Sequence, residues 1–272
     1  MPEVRANGQT LYYEQHGDGE PLLCVMGLAT DALAWIPQLK AFSAHHRTVV
    51  FDNRDVGRSS LADGPYEIAD MAHDALAIAD ELGLASFHLL GVSMGGAIAQ
   101  ELVLAAPERV ETLTLAVTWP RSGAWARRHG DLWEERSRRM SHEERVDELL
   151  LLTMSEEFFE DAGRVEWLRG AILGNPHPQP VEAFGRQLAA SRRHDAADRL
   201  GSLSMPVHVI GAEHDRLVPV WKSEQLAELI PGATLTVIEG APHGVNLERR
   251  HDFNGAVLGF IAEQSRAGGR PS

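Results

Sequence analysis

Gly91-Val92-Ser93-Met94-Gly95 follows the apolar run Phe87–Val92 and opens a helical pattern over Gly95–Ala105. A serine at a sharp strand-to-helix turn sits on strained backbone with its oxygen exposed at the sheet edge. Glycines two residues to either side leave room for such a turn. The helix N-terminus behind the serine also favours negative charge developing beside it. With 25 glycines in 272 residues, Gly-x-Ser-x-Gly also arises by chance in chains of this kind. Its placement between a strand and a helix makes this instance specific.

The flanking sequence repeats the same alternation. Leu11-Tyr12-Tyr13-Glu14, after a turn at Asn7-Gly8, reads as a strand, as do Pro21–Met26, Arg47–Phe51, Glu111–Val117, Pro206–Ile210 and Ala233–Ile238. Helical spacing of apolar residues predicts helices over Leu33–Phe42, Ile68–Leu82 and Glu248–Glu263. Strands alternating with helices predict a mostly parallel sheet covered on both faces, an α/β fold. One segment breaks the pattern. Between about Pro120 and Arg199 no strand is visible; helical patterns cover Trp125–Met140, Glu143–Phe159, Val165–Leu173 and Val181–Arg193. This reads as a helical insertion between two strands of the sheet. The tail Arg266–Ser272 is expected to be disordered.

Composition narrows the function. The net charge of −14 repels nucleic acid and anionic membrane surfaces, so neither is expected as a partner. The apolar runs, such as Leu102–Ala106, are far too short to span a bilayer, and the first residues lack the apolar core of a signal peptide. A cytoplasmic protein is expected, consistent with a lone cysteine, Cys24. The expected partner is a small molecule; self-association into a homo-oligomer stays open.

A serine at such a turn needs a base. His243 lies in Gly240-Ala241-Pro242-His243-Gly244, just past the strand Ala233–Ile238. Loops beyond the carboxyl ends of strands are where open α/β sheets place active groups. Asp215 occupies the corresponding loop after Pro206–Ile210, and the order Ser, Asp, His suits a triad on such a sheet. Glu213, two residues earlier, is the second candidate acid. Acyl transfer also needs donors for an oxyanion. The backbone N–H of Met94, directly after the serine, is one candidate, and that of Leu28, after Gly27, is the other. His45, His46, His73, His208 and His214 show no metal-ligand spacing, so neither metal nor cofactor is expected.

These residues carry a resemblance. Met26-Gly27-Leu28, the loop Phe51-Asp52-Asn53-Arg54-Asp55-Val56-Gly57-Arg58-Ser59, Gly91–Gly96, Asp215–Pro219 and His243-Gly244 are similar to the motifs of α/β-hydrolases. The likeness covers nearly the whole chain. Within that superfamily it resembles, more loosely, the small esterases and lactonases that include β-ketoadipate enol-lactonase and the aclacinomycin-type methylesterases. Two positions depart from the pattern: Met26 stands where a histidine is usual, and Asp55 where the loop commonly has glycine. Arg54, Asp55 and Arg58 are read as salt bridges that brace their loop.

The resemblance implies an eight-stranded sheet with flanking helices. It implies a core of residues 1–120 and 198–272 and a helical cap of residues 121–197. It further implies a serine hydrolase that cleaves a carboxylic ester or lactone through an acyl-enzyme on Ser93. Trp125, Phe158, Phe159 and Trp167 of the cap are expected to line its substrate pocket. A serine in place of an aspartate argues against haloalkane dehalogenases and epoxide hydrolases of the same fold. A cofactor-free perhydrolase, called a haloperoxidase, would use the same triad, and a ligand receptor on this fold can retain it; both stay open.

Overall fold

The computed structural model describes residues 2–267, so of the tail expected to be disordered only Arg266 and Ala267 are described, and 268–272 lie outside the described residues. The strands are β1 (Glu3–Ala6), β2 (Gln9–His16), β3 (Pro21–Val25), β4 (Arg47–Phe51), β5 (Phe87–Val92), β6 (Val110–Ala116), β7 (Val207–Ala212) and β8 (Thr234–Ile238). They form one eight-stranded sheet in the order β1-β2-β4-β3-β5-β6-β7-β8. β2 is antiparallel to both β1 and β4; all other neighbours are parallel. Helices α1 (Ile36–Phe42), α2 (Ile68–Glu81) and α3 (Met94–Ala105) connect the first strands. After β6 come α4 (Ala124–Ser137), α5 (His142–Thr153), α6 (Glu156–Glu160), α7 (Ala162–Leu173) and α8 (Val181–Arg193), then α9 (Trp221–Leu229), α10 (Val245–Glu248) and α11 (Arg250–Ala267).

The near-continuous apolar strands reflect burial on both faces. Alternate residues point to opposite sides, so neighbours in sequence join different cores. Leu23, Val25, Val49, Leu89 and Val209 pack with Met71 and Ile78 of α2, Ile98 and Leu102 of α3 and Leu226 of α9. Leu22, Cys24, Val50, Leu90 and Ile210 pack with Phe42 of α1 and Phe253, Val257 and Ile261 of α11. β1 escapes a reading by hydrophobic runs because it is a four-residue edge strand, Glu-Val-Arg-Ala, with only Val4 buried.

The expected helix Glu143–Phe159 is interrupted for a local reason. The pattern Glu143–Phe159 breaks at Met154, which is extended with φ −102° and ψ 158°. Ser155 then caps a new turn, its Oγ accepting from Phe158 N at 3.0 Å. Glu248 holds that break open, accepting from Ser155 N and Oγ, both at 2.7 Å. The last expected helix, Glu248–Glu263, corresponds to α11, which the short α10 precedes.

Helices α4–α8 leave and rejoin the sheet through one stem. Arg121 and Asp195 form an antiparallel bridge, Ser122 N donates to His194 O at 3.0 Å, and Ala196 N donates to Pro120 O at 2.9 Å. At the stem Glu101 of α3 takes a two-pronged bond from Arg199, at 2.6 and 2.8 Å, and lies 3.4 Å from His194 Nδ1. The loop after β4 is braced by ion pairs as expected. Buried Arg54 grips Asp74 of α2 at 2.6 and 2.8 Å, and Arg58 donates to Asp52 at 3.2 Å while stacking over Tyr12. Asp55, fully buried with φ 72°, takes two bonds from Arg186 of α8, at 2.6 and 2.8 Å.

Burial raises the Glu101 carboxyl, but the contacts with His194 and Arg199 outweigh it and hold it at about 2, below an ordinary 4.5. A depressed acid contributes stability above its unfolded pKa and loses it as pH falls through the folded one. The stem contribution should therefore be intact above about pH 5 and decline between about pH 4.5 and 2. Urea unfolding of wild type and Glu101→Gln across this range should show their stability difference shrinking toward acid pH.

Candidate active site

Ser93 stands between β5 and α3 with φ 56° and ψ −122°, a conformation a non-glycine residue adopts only under constraint. Its N–H donates to Ala116 O of β6 at 2.9 Å, and its carbonyl accepts from Gly96 N at 2.9 Å. Gly91 and Gly95 have ordinary negative φ, so the turn needs them for space. A Cβ on Gly91 would collide with Gly95 O, and one on Gly95 with Val25 O of β3. The glycines thus let α3 begin directly against β3 and β5.

Asp215 and His243 reach the serine from loops after β7 and β8. His243 Nε2 is 2.9 Å from Ser93 Oγ, and His243 Nδ1 is 2.7 Å from Asp215 Oδ2. All three residues are buried, between 6% and 8% exposed. The other Asp215 oxygen, Oδ1, accepts from Leu217 N at 2.8 Å and Val218 N at 2.7 Å. The carboxylate only accepts, so the ring proton belongs on Nδ1. That leaves the Nε2 lone pair facing the serine hydroxyl. Glu213 is turned away: its Oε2 accepts from Gly240 N at 2.8 Å and its side chain is half exposed.

Met94 N is the first N–H of α3, without an intrahelical acceptor. Leu28 N lies in the loop after β3, and among the described residues neither N–H donates to a protein acceptor. Gly27 and Leu28 line the same cavity as Ser93 and His243. Next in the chain, Ala29 has φ 61°, and its N–H donates to Gln187 Oε1 of α8 at 3.1 Å.

The cavity encloses about 530 Å³. Its walls come from the loops that carry Ser93, Leu28, Leu217 and His243 and, on the other side, from α4, α5, α7 and α8 of the insertion. They are mostly apolar, with Trp119, Trp125, Trp133, Leu150, Leu188 and Trp221 prominent. Arg121, Arg192 and Arg216 reach the lining while paired to Asp198, Glu134 and Glu156, at 2.7, 2.7 and 2.6 Å.

Of the four aromatics expected in the lining, only Trp125 is there. Phe158 is 3% exposed and packs with Val146, Leu150 and Met154, with Phe159 against the same cluster. They are the internal core of the insertion and do not reach the cavity. Trp167 is 73% exposed on the surface of α7, whose Leu168 and Ile172 line the cavity instead. Trp133, another aromatic of the insertion, and Leu188 do line the cavity; their spacing on amphipathic helices marks them as buried, but not as facing a cavity. Among the described residues no group of three or more His, Cys, Asp or Glu side chains could hold a metal ion, and no helix is long and apolar enough to cross a membrane.

Comparison with known proteins agrees with this architecture. The sequence model of the alpha/beta hydrolase fold matches residues 20–152. A protein of Azorhizobium caulinodans named "Putative carbamate hydrolase RutD" is 33% identical, over 97% of this chain and 99% of its own. The enol-lactonase of Burkholderia xenovorans LB400 superposes with a TM-score of 0.86 at 25% identity, over 96% of this chain and all of that one. A thermophilic esterase of Thermogutta terrifontis, solved with malate bound, superposes with a TM-score of 0.85 at 27% identity, over 97% and 99% of the two chains. The chain belongs to the α/β-hydrolase fold family.

Cys24 is a nucleophile type that the site does not use. It lies fully buried on β3, and burial pushes its thiol well above the ordinary range. The native protein should give no thiol reaction with a disulfide reagent at pH 8, and one equivalent after denaturation. Rapid reaction of the folded protein would mean that β3 is more accessible than its packing allows.

Proposed function

We propose that the protein is a serine hydrolase of carboxylic esters or lactones, with Ser93 as nucleophile, His243 as general base and Asp215 as the residue that orients the imidazole and stabilises its cation. The observation that carries this reading is the unbroken chain Asp215–His243–Ser93, at 2.7 and 2.9 Å, opening on an apolar cavity. His243 Nε2 removes the hydroxyl proton as Oγ attacks the carbonyl carbon. Asp215 fixes the tautomer and stabilises the imidazolium that forms. The N–H groups of Leu28 and Met94 receive the oxyanion. His243 then returns the proton to the leaving alcohol, an acyl-enzyme remains on Ser93, and water activated by His243 releases the acid. Residues 121–197 act as a cap domain over a core of 1–120 and 198–272.

The relatives support carbonyl hydrolysis and differ in its substrate: their names specify a carbamate, an enol-lactone and an ester. Two other readings share the fold: peroxide-dependent bromination would reveal a perhydrolase, and slow turnover with tight product or ligand binding would favour a ligand receptor. The discriminating experiment is a panel of p-nitrophenyl esters, lactones, methyl esters and carbamates, with fluorophosphonate labelling of Ser93. Ser93→Ala should abolish labelling and lower kcat by about 10⁴–10⁶ with the fold retained. Asp215→Asn should cost about 10⁴, by analogy with other triads, and Glu213→Gln much less. Activity of Ser93→Ala within tenfold of wild type would remove the assignment; the reverse ranking of the two acids would transfer the role to Glu213.

The lining predicts selectivity. Each methylene buried against Trp125, Trp133, Leu150 or Leu188 adds at most about 0.8 kcal/mol, a few-fold in kcat/KM. Along a series of p-nitrophenyl esters, kcat/KM should climb by that factor per carbon and stop where the cavity of about 530 Å³ is full. Small to medium neutral esters or lactones should outrank long-chain triglycerides. Trp133→Ala and Leu188→Ala should shift the optimum chain length, while Phe158→Leu should not. A profile indifferent to the first two would mean that the cap does not select the substrate.

A further inference from the structure

We propose that Gln187 of α8 is a positioning residue: it holds the loop that carries Leu28 N–H in its oxyanion-binding conformation by fixing Ala29 in the left-handed region. This rests on the function proposed above, and it assigns the cap a part in the chemical step besides roofing the cavity.

Gln187 has no exposed surface. Its Oε1 accepts from Ala29 N at 3.1 Å and from Gln179 Nε2 at 3.0 Å, and its Nε2 donates to Arg54 O at 2.9 Å. Two donors face Oε1 and an acceptor faces Nε2, so the amide has one satisfied orientation. Its helix is fixed against the same region by the Arg186–Asp55 pair one residue earlier. Ala29 has φ 61°, which an alanine adopts at a penalty equivalent to roughly five- to thirtyfold in population. The loop is also tied by Thr30 Oγ1, donating to Gly27 O at 3.0 Å, and by Asn175 Nδ2, donating to Asp31 Oδ2 at 2.7 Å, but neither bonds the Ala29 N–H. Without Gln187 the Ala29 N–H loses its acceptor, Ala29 relaxes toward negative φ, and the adjoining Leu28 N–H leaves its aim. A group that acts on the oxyanion affects the transition state more than substrate binding.

The test compares wild type, Gln187→Met and Gln187→Met/Ala29→Gly on one p-nitrophenyl ester, with inhibition by an alkyl boronic acid as the tetrahedral probe. Methionine keeps the length and apolar bulk but cannot bond to Ala29 N–H. The expected result is a kcat lower by about ten- to a hundredfold, less than full loss of an oxyanion donor, with KM within about threefold and boronate affinity falling in parallel with kcat. Ala29→Gly in that background should recover about fivefold or more, because glycine adopts positive φ without strain. Should Gln187→Met fail to fold, Ala29→Val serves instead: a β-branched residue resists positive φ with Gln187 intact, and kcat and boronate affinity should fall together. Unchanged kcat and boronate affinity in the folded variant, a rise in KM alone, or no recovery with Ala29→Gly would overturn the proposal. If Ser93→Ala abolishes hydrolysis while Gln187→Met does not impair it, only the role of Gln187 fails. If Ser93→Ala remains active, the underlying reading fails with it.

Discussion

Crowding where β5 meets α3 is the constraint on which the rest of the site depends. The helix starts one residue after Ser93, with φ 56° at the serine, and it starts so close to β3 that only glycine fits at 95. Strain of this kind persists only when its surroundings over-determine it. Here the bond from Ser93 N to Ala116 O and the packing of α3 across β3 and β5 do so. The result is a hydroxyl fixed beside the first free N–H of a helix, where developing negative charge is favoured. Nothing in the loops that carry Asp215 or His243 could compensate for a serine placed otherwise.

A second constraint links the insertion to the sheet. Asp55 has no exposed surface and accepts from Ala62 N and Tyr66 Oη, both at 2.8 Å, as well as from Arg186. A buried carboxylate with this many partners is costly to disturb, because removing one leaves a charge uncompensated. The departure of this loop from glycine at position 55 therefore has a physical account: Asp55 is the socket into which α8 is plugged. Through Gln187, the same helix reaches the loop after β3. The insertion and the sheet meet at fixed polar points, and the apolar cavity lies between them.

How far the site is legible in the sequence follows from how local each signal is. Ser93, Asp215 and His243 can be read because each lies a few residues past an apolar strand, and strand ends in a parallel sheet are places of known geometry. Expecting Arg54 and Arg58 to brace their loop succeeds for a similar reason, since each has a carboxylate partner nearby in the chain, Asp74 and Asp52. The cavity aromatics are not legible. α4 to α8 bury residues against each other as well as against the cavity, so an apolar position on these helices has two destinations. Phe158 takes the first and Trp133 borders the second. Trp167 has neither, although its neighbour Leu168 reaches the cavity. Gln187 carries no motif at all: a glutamine among Arg186, Leu188 and Ala189 looks like an ordinary helix-surface residue until Ala29, 158 positions away, is brought beside it.

The acid loop shows why two candidate carboxylates two residues apart have such different prospects. Glu213 is half exposed and caps a neighbouring turn through Gly240 N. Asp215 is buried, and its charge is held by two backbone N–H groups and the imidazole. In the proposed mechanism low dielectric would strengthen the coupling of Asp215 to a developing imidazolium, while Glu213 has neither the reach nor the desolvation for that role. The same N–H donors belong to Leu217 and Val218, whose side chains line the cavity. Leu217 and Val218 thus both hold the Asp215 carboxylate through their N–H groups and border the cavity.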